Sequence, residues 1–249
     1  MKILGIESSS MVASVAVVTD DVVTAEYTVN FKRTHSQTLL PMIDTVAQML
    51  ELDWKDVDAI AVSGGPGSFT GLRIGSATAK GLGLAWNKPL IHVPTLDAMA
   101  YNLYGASGLI CPLMDARRNQ VYTGLYHFQR EFEIVKKSCA MDIHDLITEL
   151  NARAETVVFL GDGVPVSASA IGQELTVPYS FAPAHVNRQR GASVAALGAV
   201  YFAGGKTETA EEHAPDYLRK SQAERELDEA KRQGKTGELA AGHAVEMKE

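Results

Sequence analysis

Apolar residues open the chain in short Val- and Ile-rich runs and then shift to helical stripes. "KILGIE", "VASVAVVT" and "VVTAEYTV" are separated by "SSSM" and by a "DD" pair. Short runs bounded by turn residues predict a meander of about three antiparallel strands. In "THSQTLLPMIDTVAQML" the period lengthens, and Leu39, Leu40, Ile43, Val46, Ala47 and Leu50 form one apolar stripe. Pro41 lacks a backbone donor, so it belongs near the start of that helix or at a kink. "VDAIAVSG" reads as a buried strand running into "SGGPGSFTGLRIG". A helix is expected from about Gly71 to Trp86, stopped by "NKP". "LIHVP" then predicts a strand, and "TLDAMAYNLYG" a helix with Thr95 as its N-cap. A meander followed by strand, helix, strand and helix indicates an α/β layer, with helices packed over a mixed sheet.

The pattern repeats more loosely after "GASG". "LICPLMDARRNQVYTGLYHF" predicts a hairpin with its turn at Asp115 to Asn119, "TVVFLGDG" a strand, and "ASVAALGAVYFAGG" a helix. A boundary falls near Gly105 to Gly108, dividing residues 1–105 from 106–225. Residues 226–249 are charged and nearly without an apolar stripe, as in a solvated helix or a disordered tail.

Composition narrows the class. With 46% hydrophobic and 21% charged residues, the 249-residue chain reads as globular, large enough for one large domain or two modest ones. Its apolar runs fall far short of the roughly 20 residues of a membrane helix, so no membrane association is expected. Two cysteines without a CxxC pairing point to a reducing, cytoplasmic setting rather than a disulfide framework. The net charge of −7 and the absence of a dense basic patch mean that a partner would have to supply most of any grip on nucleic acid.

The glycine-rich loop satisfies neither familiar nucleotide signature. No lysine follows its glycines, as a P-loop requires, and Gly65, Gly67 and Gly71 give G-x-G-x-x-x-G, one residue too long for a dinucleotide loop. A strand leading into a helix N-terminus still offers free amides and a positive dipole end. Glu7 and Ser8 at the end of the first strand, with Gly65, Gly67 and Asp115, therefore mark a candidate nucleotide vicinity, and a purely structural turn is the alternative. Gly71, Gly75, Ala79 and Gly83 stand four residues apart on one helical face. Glycine within a helix costs about 1 kcal/mol relative to alanine, so the stripe implies close approach by another backbone. That backbone could belong to the chain's own sheet or to a second subunit. The seven histidines are scattered singly with no cysteine beside them, so no metal is expected. No G-x-S-x-G elbow selects a nucleophile.

"ILGIESSSMVASVAV", "HSQTLLPMI", "SGGPGSFTGLRIG", "PLIHVPTLDAMA", "MDARRNQVY" and "YLRKSQAER" occur in order, from residue 1 to about Arg225. Together they resemble the TsaB family of bacterial tRNA threonylcarbamoyladenosine biosynthesis proteins, formerly grouped with glycoprotease-like (M22) peptidases. The resemblance implies an actin-like/sugar-kinase-like (ASKHA) α/β fold of two related halves. It also implies a non-catalytic subunit that activates the catalytic relative TsaD, with the ATPase TsaE, in modifying adenosine 37 of tRNA. Pairing is expected through the first two helices, at Leu39, Ile43, Val46, Leu50, Gly71, Gly75, Ala79 and Gly83, in a homodimer when alone and a heterodimer with TsaD. Contact with tRNA would come mainly through those partners. No cofactor of its own is implied, although ATP or ADP could lie at the complex interface. In TsaD the corresponding segment carries a metal-binding H-x-E-G-H motif, where this chain has "VPTLDAM" without a histidine. Glu7 stands where many members carry aspartate. The competing reading is an autonomous ATPase or small-molecule kinase using Glu7, the glycine loop and Asp115.

Overall fold

The predicted meander forms as three strands, β1 (Lys2–Glu7), β2 (Val12–Thr19) and β3 (Val22–Asn30), paired antiparallel in sequence order. They belong to a computed structural model that describes residues 1–32, 34–128 and 130–218. Helix α1 (His35–Met49) follows, then β4 (Ala59–Gly65), α2 (Phe69–Trp86), β5 (Leu90–Pro94) and α3 (Thr95–Tyr101). β4 pairs parallel with β1, and β5 parallel with β4, so the first sheet has the order β3-β2-β1-β4-β5.

A second sheet repeats this connectivity. Strands β6 (Leu109–Asp115), β7 (Gln120–Phe128) and β8 (Phe132–Asp142) form an antiparallel meander, followed by α4 (Ile143–Arg153), β9 (Val157–Leu160), α5 (Val164–Glu174) and β10 (Tyr179–Phe181). β9 lies parallel to β6 and β10 parallel to β9, giving β8-β7-β6-β9-β10. The last described helix, α6 (Gly191–Ala203), returns to pack on β1, β2 and β4 of the first sheet.

Alternation along each strand assigns its faces. Leu4 and Ile6 join Val15, Val17, Ile60 and Val62 in a core beneath Leu39, Met42, Ile43 and Val46 of α1. Ile3, Ala59, Ala61, Ile91 and Val93 face the other way, against Val194, Ala195 and Leu197 of α6. In the second sheet Leu109, Cys111 and Leu113 meet α4, while Ile110 and Met114 meet Leu96, Met99 and Ala100 of α3.

Several boundaries differ from those expected, each for a local reason. α2 starts at Phe69 because the Ser68 side chain accepts from the Gly71 amide, and it ends where Asn87 turns left-handed at φ 52°. α1 runs through Pro41, which lies on the exposed face where the carbonyl left without a donor can meet water. Thr95 is not an N-cap: β5 passes directly into α3, Pro94 takes the cap position, and the buried Thr95 hydroxyl has no partner. β8, α5 and β10 escaped the sequence pattern because they are short or partly exposed, and all three residues of β10 face solvent, whereas α4 was missed although Ile143, Leu146, Ile147 and Leu150 recur at helical spacing. The charged tail at residues 226–249 lies outside the described residues.

Candidate functional site

The C-terminal ends of β1, β4, β6 and β9 carry Glu7, the glycine loop, Asp115 and a Gly161-Asp162-Gly163 turn. Ligands of open α/β sheets gather at such strand ends. The glycine loop is closed onto its own chain. A Cβ placed on Gly67 would lie 2.3 Å from the Ser9 carbonyl oxygen, and one on Gly71 2.1 Å from that of Ser8. The Ser68 amide donates to Ser9 O at 2.6 Å, and Ser8 Oγ donates to Gly71 O at 2.9 Å. Gly65, at φ +120°, adopts a conformation open to glycine, and the Asp216 carbonyl lies 2.3 Å from where its Cβ would be. The Ser8–Ser9 turn therefore occupies the close-approach surface of Gly67 and Gly71.

Glu7 is buried between these parts. Its carboxylate accepts from the Ser9 amide at 2.6 Å and from Ser9 Oγ at 2.5 Å. Burial pushes its pKa up to about 7, against the opposing effect of hydrogen bonds from Ser9 and Ser63, and the Asp162 charge adds to the rise. Asp162 is likewise held above the usual carboxylate range, chiefly by burial, with Asp115 contributing. Asp162 Oδ1 and both polar atoms of the buried Gln189 amide lack a well-formed hydrogen bond. Glu7, Ser8, Gly65 and Gly67 thus come together. Asp115, whose Oδ1 accepts from the Arg117 amide at 2.7 Å, is tied electrostatically to the group through Asp162. Sequence reasoning missed Asp162 and Gln189; a Gly-Asp-Gly turn directly after a strand was the available signal for the first.

The helix faces require a correction. Gly71, Gly75, Ala79 and Gly83 are buried within the chain, and the Cβ positions of Gly71 and Gly75 would meet Ser8 O and Oγ at 2.1 and 2.2 Å. Leu39, Ile43 and Val46 are 1%, 3% and 4% exposed beneath α1, and Leu50 packs against the same core. Seven of these eight residues are buried against the chain's own first sheet and Ser8 turn, and Leu50 is partly buried. The large exposed apolar residues of the two helices are instead Leu40, Met49 and Leu84, and a Cβ on the outward Gly81 would meet nothing within 4 Å.

Where β5 enters α3, Asp97 accepts from Tyr126 at 2.8 Å and from Tyr201 at 3.3 Å, between buried Thr95 and Met99. Burial raises its pKa, and the two phenols partly offset the rise. Tyr126→Phe is expected to destabilise the fold by about 1–2 kcal/mol, since it strips a donor from a buried carboxylate; urea unfolding measures the loss.

Two mixed sheets of the same connectivity, with acidic groups at their strand ends, define the actin-like/sugar-kinase class of α/β fold. The ROK hexokinase from Thermus thermophilus shares it, with a TM-score of 0.50 and 11% identity, over 82% of this chain and all of that one. Residues 23–227 match the family described as "TsaD: tRNA N6-adenosine threonylcarbamoyltransferase". The tRNA threonylcarbamoyladenosine biosynthesis protein TsaB of Bacillus subtilis is 33% identical over 228 residues, 90% of this chain and 96% of that protein. A solved Pseudomonas aeruginosa protein with similarity to peptidase YeaZ superposes with a TM-score of 0.76 at 26% identity, over 88% of this chain and 99% of that one. The chain belongs to the TsaB family.

Proposed function

We propose that this protein is the non-catalytic subunit of a tRNA threonylcarbamoyladenosine synthesis complex, binding and activating a TsaD-type catalytic subunit, with TsaE as the third component. The observation that carries this is the β5–α3 junction. There the resemblance places the catalytic relative's histidine motif, and this chain has the buried Thr95 and Met99 flanking an Asp97 committed to two tyrosines. The triplet is buried and its one carboxylate accepts from two phenols, which supports a non-catalytic role. The family relation of the whole chain supports the biosynthetic role, and the acidic balance of −7 supports leaving the tRNA grip to the partners. Among the described residues no helix is long and apolar enough to cross a membrane, and we place the complex in the cytoplasm.

Pairing uses the outer faces of α1 and α2, around Leu40, Met49 and Leu84, with the homodimer as the form taken in isolation. Any ATP or ADP belongs to the interface with the catalytic subunit. In the chain alone Glu7 is buried and the glycine loop is closed by the Ser8–Ser9 turn, a setting that offers a triphosphate no open cradle. Calorimetry of the isolated protein with Mg-ATP is therefore expected to be flat, and micromolar binding with turnover would favour an autonomous ATPase instead. The decisive experiment mixes the protein with TsaD, TsaE, threonylcarbamoyl-adenylate and tRNA. Omitting this chain is expected to abolish modified adenosine 37, and an undiminished yield would overturn the proposal.

A further inference from the structure

Behind the glycine loop the fold assembles two imidazoles and a carboxylate that stand far apart in the chain. His92 lies in β5, and Glu208 and His213 lie in the segment that follows α6. One donor atom from each falls within 4.8 Å of those of the other two. We infer that His92, Glu208 and His213 bind a divalent transition-metal ion of the zinc type, which clips the 207–216 segment to the end of β5. The inference is independent of the role proposed in tRNA modification.

The backbone holds the three donors in place before any ion arrives. Glu208 pairs with Leu90 as a short antiparallel bridge, with N–H···O bonds of 2.9 Å in both directions. The following turn is tied by Thr209 and Glu212, whose carboxylate accepts from the Thr209 amide and hydroxyl at 2.9 Å. The His213 amide donates back to Thr209 O at 3.1 Å. Lys80, a nearby cation, is held by carbonyl oxygens, donating to His213 O at 3.0 Å.

The side chains are left incomplete in a way that a cation would resolve. The His213 side chain is fully buried, and its Nδ1 lies 2.5 Å from Glu208 Oε1. Of the two ring nitrogens only one carries a lone pair in the neutral imidazole, and the one not shared with Glu208 is Nε2. That Nε2 is buried and has no partner. His92 Nε2 is also buried without a well-formed hydrogen bond, although Asp216 Oδ2 comes within 3.3 Å. Buried polar atoms are rarely left unmade, and two such imidazole nitrogens beside two carboxylates suit an electron-pair acceptor. Paired histidines with a carboxylate favour zinc-like ions over Mg²⁺ or Ca²⁺, which prefer oxygen donors. Glu208 also borders a cavity of ≈ 490 Å³ with Asn87, Lys88 and Glu211.

The clip would reach the glycine loop. A Cβ on Gly64 would sit 2.1 Å from His92 Cε1, so only glycine admits that ring, and the Asp216 amide donates to Gly64 O at 2.6 Å.

The test uses the full-length protein, stripped with a chelator and titrated with Zn²⁺ and, separately, Co²⁺. One equivalent is expected to bind, with visible Co²⁺ absorption of a low-coordinate nitrogen/oxygen site and a Zn²⁺-dependent rise in Tm. His92→Gln, which changes a partly exposed side chain, and Glu208→Gln should each weaken binding by about 10- to 100-fold. His213→Gln should do the same, with circular dichroism confirming that this buried substitution still folds. His144→Gln, at an exposed histidine paired with Glu174, should bind as the wild type does. Absence of a stoichiometric site in the wild type, or its survival in a His92→Gln/Glu208→Gln double variant, would overturn the inference.

Discussion

Gly71→Val is expected to cost at least about 3 kcal/mol of folding stability, because its Cβ would lie 2.1 Å from the backbone oxygen of Ser8. The Ser8 carbonyl cannot retreat easily. It belongs to the turn whose neighbouring Ser9 carbonyl accepts from the Ser68 amide, and Ser8 Oγ is itself bonded to Gly71 O. Ile43→Glu should be comparably damaging, since it buries a charge beneath α1 where the native side chain is 3% exposed. Leu84→Glu provides the contrast. Leu84 is 64% exposed, so the folded protomer should keep its melting temperature, while pairing weakens by about 2 kcal/mol, or roughly 30-fold. Urea unfolding and size-exclusion elution separate the two outcomes. A Gly71→Val protein that folds normally but elutes as a monomer would return the glycine stripe to the interface. Retained pairing in Leu84→Glu would move the docking face elsewhere.

Glu7→Gln is expected to change the pH dependence of stability by about 3 kcal/mol. In the folded protein burial holds the Glu7 carboxyl up to about 7, whereas its ordinary value is 4.5. Because the folded value is raised, the stabilisation belongs to the protonated form. It is complete below the unfolded value and is lost as pH rises through the folded one. At about 1.4 kcal/mol per unit, the wild type loses roughly 3 kcal/mol from this group between about pH 4 and pH 8. Glutamine cannot ionise, yet its carbonyl can still accept from the Ser9 amide that now binds the carboxylate. The difference between variant and wild type should therefore move in the variant's favour as pH rises. Denaturant titrations at several pH values read this directly, and a pH-independent difference would show that Glu7 does not titrate as its burial requires.

The strand meander, α1, the strand before the glycine loop, α2 and β5 were all legible in the order of residues, because each presents one strong period or one clear boundary signal. The helix at 191–203 was legible as a helix, but not as a cover for the first sheet. The face that α2 turns inward was not legible. Its inner stripe of Gly71, Gly75, Ala79 and Gly83 and its outward Ala77 and Gly81 are both built of small residues, so composition could not tell the two sides apart. What separates them is the Ser8–Ser9 turn, some sixty residues earlier, pressing on one side only. In the same way, β10 is only three residues long and α5 buries only Ser167 and Ile171, so neither shows a strong period, and the sheet they extend or cover defines them.

Local periodicity and turn chemistry, read from the sequence by themselves, determined the α/β class, the order of the main elements and the absence of a familiar nucleotide loop. Motif order carried the family resemblance. Tertiary structure alone decided which residues meet: Glu7 with Asp162, Asp97 with Tyr126 and Tyr201, and His92 with Glu208 and His213. The physical reason is the range of the forces. Strand and helix periods are written within a few neighbouring residues, whereas burial, carboxylate coupling and imidazole pairing depend on distances that exist only once remote segments have packed.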